Sequence, residues 1–303
     1  MSKAKLAIAL SALSVAIVAW AVPISGIAHQ RVQRPEVQRM SAPVAPIRLR
    51  DESSGLLASG WINGAGPFVF AIDTGAGVSL ISRGVVERAR LQVTKSRRPL
   101  VGGLSTSPIS SDQETRISGL SLGRRDNNVP GSFSAAIVTN LPGSIDGVLD
   151  PTEVFNRFGY SVDLPNRELQ VFDTATYRLR LNNVPRDGAV VRWVGSDRPF
   201  VRLGDGRLAL IDTGSSFGLA LNEVGNHRGS GNTIHDLGGG TVQSRKVAPM
   251  TVSIGALVLN NVPTDVLTGV APGTPIIIGR RALFPFRITF DPASRLISFE
   301  PAE

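Results

Sequence analysis

A chain of 303 residues, 42% of them hydrophobic and 18% charged, is large enough for one big or two medium globular domains that bury their cores without staples. The absence of Cys excludes thiol chemistry, and three scattered histidines, His29, His227 and His235, supply no tetrahedral zinc pattern, so neither a metal nor another cofactor is expected. The formal charge of +8 rests on Arg, since Lys occurs only at positions 3, 5, 95 and 246; with 6% aromatic residues and no Lys/Arg run longer than two, no nucleic-acid partner is expected.

Lys3 and Lys5 precede a stretch from Leu6 to Pro23 that is apolar apart from Ser11 and Ser14, and no further charge appears until Arg31. That order predicts a signal peptide or an N-terminal membrane anchor over residues 1–28. Ala19-Trp20-Ala21 and Gly26-Ile27-Ala28 offer small residues to a signal peptidase, while the stretch is also long enough to span a bilayer. Either outcome delivers the rest of the chain outside the cytoplasm, into a bacterial periplasm, secreted or held by that tether. Residues 29–46, with three Pro among Gln and Arg, read as a linker.

From Ile47 onward, short Val/Ile/Leu/Phe runs broken by Gly, Pro, Asn and Asp predict an all-β fold. Three short helices are expected, at Ser82–Ala89, Pro151–Phe158 and Arg280–Phe284. The body also repeats itself. Phe68-Val-Phe-Ala-Ile-Asp-Thr-Gly-Ala76 matches Arg207-Leu-Ala-Leu-Ile-Asp-Thr-Gly-Ser215, and further matches follow in the same order, among them Asn127-Asn-Val-Pro130 with Asn260-Asn-Val-Pro263. Later, Ser161-Val-Asp163 and Thr289-Phe-Asp291 correspond.

Each Asp-Thr-Gly follows a turn, Asn63-Gly64 or Asp205-Gly206, and then an apolar strand, so each Asp sits where a buried strand opens into a loop. If the duplicated halves pack about a pseudo-two-fold axis, Asp73 and Asp212 meet. Two carboxyls at hydrogen-bond distance share one proton, which holds an acid and a base together; aspartic proteases are the standing example of such a dyad. Such a pair polarises a water toward an amide carbonyl without a metal or a nucleophilic side chain. The bland alternative is that each Asp merely caps a turn.

The strand ending in Asp-Thr-Gly-Ala or Asp-Thr-Gly-Ser, a later glycine-containing hairpin, and Pro275-Ile-Ile-Ile-Gly-Arg-Arg-Ala-Leu283 together resemble the retropepsin-like aspartic protease family, twice over, across residues 47–302. The resemblance implies two acid-protease β-barrel lobes, at 47–176 and 186–303, joined by a linker at 177–185. It makes Asp73 and Asp212 the catalytic pair, with Thr74, Gly75, Ala76, Thr213, Gly214 and Ser215 supporting the two loops. It also makes the hairpins at Gly102-Gly103 and Gly238-Gly239-Gly240 flaps over an extended peptide or protein substrate. One chain carries both aspartates, so a monomeric endopeptidase is expected.

One departure stands out: where the family has Gly after the apolar pair, the first half has Asp150, although Gly279 keeps the pattern in the second. Asp150 is either a third carboxylate that perturbs the dyad or a solvent-facing cap for the helix beginning at Pro151. The first possibility motivates a rival reading, a catalytically silent peptide- or envelope-binding module on the same fold.

Overall fold

The computed structural model describes residues 43–105, 109–139, 141, 145–195, 197–222, 231–235 and 240–302. The expected signal peptide or anchor lies outside the described residues, as do Gly238 and Gly239. Among the described residues, no helix is long and apolar enough to cross a membrane.

The chain is all-β with short helices at Arg83–Arg88, Pro151–Val154 and Arg280–Leu283. Asn63 and Gly64 both take positive φ, the backbone a tight hairpin turn needs, and they fold Gly55–Ile62 back on Ala65–Ile72. From this hairpin grows a sheet in the order Arg50–Glu52, Gly55–Ile62, Ala65–Ile72, Gly147–Leu149, Ser79–Ser82, Phe133–Val138, Ile109–Ile117, Thr94–Gly102, with Leu120–Leu122 paired to Gly55–Ile62. A second sheet runs Phe200–Arg202, Leu208–Asp212, Ile276–Gly279, Leu219–Asn222, Leu257–Thr268, Thr241–Ile254, Asn232–His235. From the Asp-Thr-Gly strand outward the two orders correspond strand for strand. In each, the Asp-Thr-Gly strand has a parallel partner, Gly147–Leu149 or Ile276–Gly279, which is antiparallel to the strand after the loop.

The third sheet mixes the halves, in the order Val44–Arg48, Glu168–Asp173, Phe158–Asp163, Phe286–Asp291, Leu296–Pro301, Ala189–Arg192. Its central antiparallel pair sets Ser161 opposite Thr289, the residue that matches it in the repeat, with their hydroxyls 3.0 Å apart. Tyr160 stacks on Phe290 at 4.8 Å between ring centres, both fully buried. The described residues from 43 to 302 thus group into one compact unit.

The first strand begins at Val44, inside the stretch expected to be linker, because Val44 and Ile47 are buried against the Glu168–Asp173 strand. Asn127, from the repeated Asn-Asn-Val-Pro, fixes that strand: its side chain accepts from Ala45 N at 2.8 Å and donates to Ala45 O at 3.0 Å.

Candidate active site

The two Asp-Thr-Gly loops meet. Asp73 leaves its strand with its N–H donated to Leu149 O at 3.0 Å, and Asp212 ends the strand Leu208–Asp212 in register with Gly279. The two carboxyl groups lie close enough for each to shift the other's proton affinity. Each is also held by its own loop: Asp73 Oδ1 accepts from Gly75 N at 2.7 Å, and Asp212 Oδ1 from Ser215 N at 2.9 Å. Ala76 closes the first loop by donating its N–H to Asp73 O at 3.4 Å.

The glycines are required by the opposite aspartate. A Cβ on Gly214 would lie 2.3 Å from Asp73 Cγ, and one on Gly75 would lie 2.6 Å from Asp212 Cγ, so only Gly lets each carboxyl rest against the facing loop. Beneath them, Thr74 and Thr213 are fully buried. Thr74 Oγ1 donates to Ile211 O at 2.7 Å, and Thr213 Oγ1 donates to Ile72 O at 3.3 Å, so each threonine braces the strand that carries the other aspartate.

Burial is the largest influence on both carboxyls and raises both. For Asp212 the charge of Asp73 adds to it, holding Asp212 well above the carboxylate range. For Asp73 the Gly75 amide, Asp212 and the Arg280 guanidinium pull the other way. Two carboxyls this close cannot both ionise cheaply, so the pair favours one shared proton. This combination provides a base and an acid at one point.

Arg280, which sequence reasoning left without a role, is 7% exposed. Its Nη1 donates to Thr213 O at 3.1 Å and Gly214 O at 2.9 Å, its Nη2 to Glu52 O at 3.3 Å, and its Nε lies 3.4 Å from Asp51 Oδ1. The local signal was an Arg directly after the Ile-Ile-Ile-Gly strand, but nothing in the sequence linked it to Asp51.

Asp150 does cap the helix Pro151–Val154, accepting from Thr152 N at 2.8 Å, yet it does not face solvent: it is 1% exposed. The parallel pairing of Gly147–Leu149 with Phe70–Ile72 carries on to set it beside Asp73. Its N–H donates to Ser79 Oγ at 3.2 Å, and Glu153 reaches back to accept from Ser79 N at 2.8 Å. In the second half the same place tolerates only Gly, because a Cβ on Gly279 would lie 2.6 Å from Phe217 O.

Of the glycines expected in flaps, Gly102 ends the strand Thr94–Gly102, paired with Ile109, and Gly103 follows it with positive φ. Gly240 is buried just before the strand Thr241–Ile254. No group of His, Asp and Glu among the described residues could hold a metal ion.

Compared with known proteins, residues 58–149 match the family model described as aspartyl protease, a stretch that contains Asp73 and its loop. No curated protein matches the chain.

Proposed function

We propose that this protein is an aspartic endopeptidase built from two retropepsin-like copies related by an approximate two-fold axis, with Asp73 and Asp212 as its catalytic pair. The observation that carries this reading is the meeting of the two carboxyls at the joined loops, each seated against the other's glycine. The aspartyl protease match over residues 58–149 supports it for the first half, and the Asp-Thr-Gly repeat supports it for the second.

In this mechanism a water bound between the carboxyls gives a proton to Asp73 as its oxygen attacks the scissile carbonyl, while Asp212 donates its own proton to the carbonyl oxygen. The tetrahedral intermediate collapses as a proton passes from Asp73 to the leaving nitrogen, and the proton on the former carbonyl oxygen returns to Asp212. The substrate is an extended peptide or protein segment, and one chain suffices. The activity is assigned outside the cytoplasm, secreted or tethered, a reading supported by the basic and then apolar N-terminal sequence.

The test is cleavage of a diverse peptide mixture across pH by the wild type, Asp73→Asn and Asp212→Asn. Each variant should stay folded and lose about a thousandfold in turnover; a variant that keeps its turnover removes the mechanism. The burial of Asp150 beside Asp73 favours one second reading, the silent binding module. Peptide binding without products at any pH would select it.

A further inference from the structure

The hairpin Thr94–Gly102/Ile109–Ile117 belongs to the Asp73 half, where Ile109–Ile117 pairs with Phe133–Val138. Just past its first strand, however, the chain crosses to the other half. Leu104 O accepts from Ala271 N at 2.8 Å, and Ser105 forms an antiparallel bridge with Val270. Ser105 is 1% exposed, so the contact is closed to solvent. Leu104 packs against the buried cluster of Phe217, Ala220, Leu267 and Ile277, which Ile234 and Val270 also cover.

That apolar pocket adjoins the Asp212 loop. Ile277 lies opposite Leu210, two residues before Asp212, and Phe217 is tied to the loop by its N–H to Ser215 Oγ at 3.2 Å. The segment receiving the strand is set between Gly269 and Gly273, both with positive φ, and is held by Thr274 Oγ1 donating to Ala271 O at 2.7 Å. A short extended segment is therefore bound through its main chain and one aliphatic side chain, which is how a peptide is held by strand addition with a side-chain pocket.

Resting on the peptidase reading, we infer that Leu104–Ser105 is an internal occupant of a substrate-binding position: it fills the pocket in the resting protein, and an extended peptide with a large aliphatic residue displaces it to bind. The hairpin is then a competitor of substrate. Peptides with Leu, Ile or Met at the residue entering this pocket are the preferred class, and their apparent affinity is reduced by the fraction of molecules in which Leu104 is seated.

Leu104→Ser separates this role from that of a residue that grips substrate. As a competitor, Leu104 loses its apolar hold, so KM for aliphatic peptides should fall about tenfold with kcat kept; an unchanged or raised KM overturns the inference. A second test uses the absence of Cys in the chain. Ser105 and Val270 are directly opposed in the antiparallel bridge, the kind of pair whose Cα spacing suits a disulfide. S105C/V270C should pair its two thiols on oxidation, lose turnover, and regain it on reduction. Thiols that do not pair, or an oxidised form that cleaves as fast as the reduced one, overturn the inference. If the wild type cleaves nothing, the peptidase reading fails on its own. The occupant is then judged by a labelled Leu-rich peptide: binding to the reduced but not the oxidised S105C/V270C protein sustains it, and equal binding to both, or to neither, overturns it.

Discussion

Thr74 and Thr213 each accept the other's backbone N–H on Oγ1, Thr74 from Thr213 N at 3.0 Å and Thr213 from Thr74 N at 3.2 Å. Because each hydroxyl also donates to the opposite strand, this exchange ties the two aspartate loops through fully buried atoms. Thr74→Val keeps the volume but strands Ile211 O and Thr213 N in the interior. Each such orphan costs about 1–3 kcal/mol, so a loss of roughly 3 kcal/mol is expected by urea denaturation. Thr74→Ser should recover most of it. Equal stability of the Val and Ser variants would refute the bracing role.

Gly214→Ala brings a Cβ to 2.3 Å from Asp73 Cγ, so the carboxyl must move. A displacement of about 1 Å costs on the order of a hundredfold in turnover, whereas the overpacking itself costs about 1–3 kcal/mol. Peptide turnover and thermal melting measured together should show the first loss with the fold retained. Gly84→Ala is the control: Gly84 is helical with its nearest neighbour at 3.8 Å, and the change should stabilise by about 0.5–1 kcal/mol.

Asp150 makes stability depend on pH. Burial pushes its carboxyl up to about 8, with the charges of Glu153 and Asp73 adding and the Thr152 amide opposing. The native state thus binds this proton more tightly than the unfolded chain. The stability it contributes is complete below the ordinary value of 3.8 and is lost as pH rises through about 8. Asp150→Asn keeps an oxygen to accept from Thr152 N and removes the titration. The melting temperature of this variant should gain on the wild type between pH 5 and pH 8.5; a constant gap would show that Asp150 does not titrate in the fold.

Arg280 acts on Asp73 through charge and on the second loop through hydrogen bonds. Its presence favours the Asp73 carboxylate, so Arg280→Gln should raise the proton affinity of Asp73 and move the acid limb of the kcat/KM profile to higher pH. Asp51 is one-third exposed and screened by solvent, which reduces the stability loss from breaking the pair to about 2 kcal/mol. Arg280→Lys keeps the charge but not the two-pronged grip on Thr213 O and Gly214 O, so it should restore the pH profile more fully than the stability.

Local signals carried far in this chain. Ser82, at the start of the first expected helix, is the N-cap of Arg83–Arg88, and Ala89, at its expected end, is the C-cap. The second helix stops at Val154 instead of Phe158, because Phe158 opens a strand whose residues pair on both sides. The Asp-Pro at 150–151 signalled a helix start and the structure keeps it, but the same dipeptide suits an exposed or a buried cap equally well.

The sequence alone determined the all-β class, the repeated Asp-Thr-Gly string, the hairpin at Asn63-Gly64 and the identity of the paired aspartates as candidates, because each is written in alternation, turn residues or a repeated string. Tertiary structure alone decided that Asp150 is buried beside Asp73, that Arg280 reaches both Asp51 and the second loop, and that Leu104 docks across the halves. Those outcomes rest on contacts between residues up to 228 positions apart, such as the Arg280 side chain with the Glu52 carbonyl, which meet only when the strands of both halves close into their sheets. Burial, charge and partner choice are properties of that closure, and no local pattern encodes them.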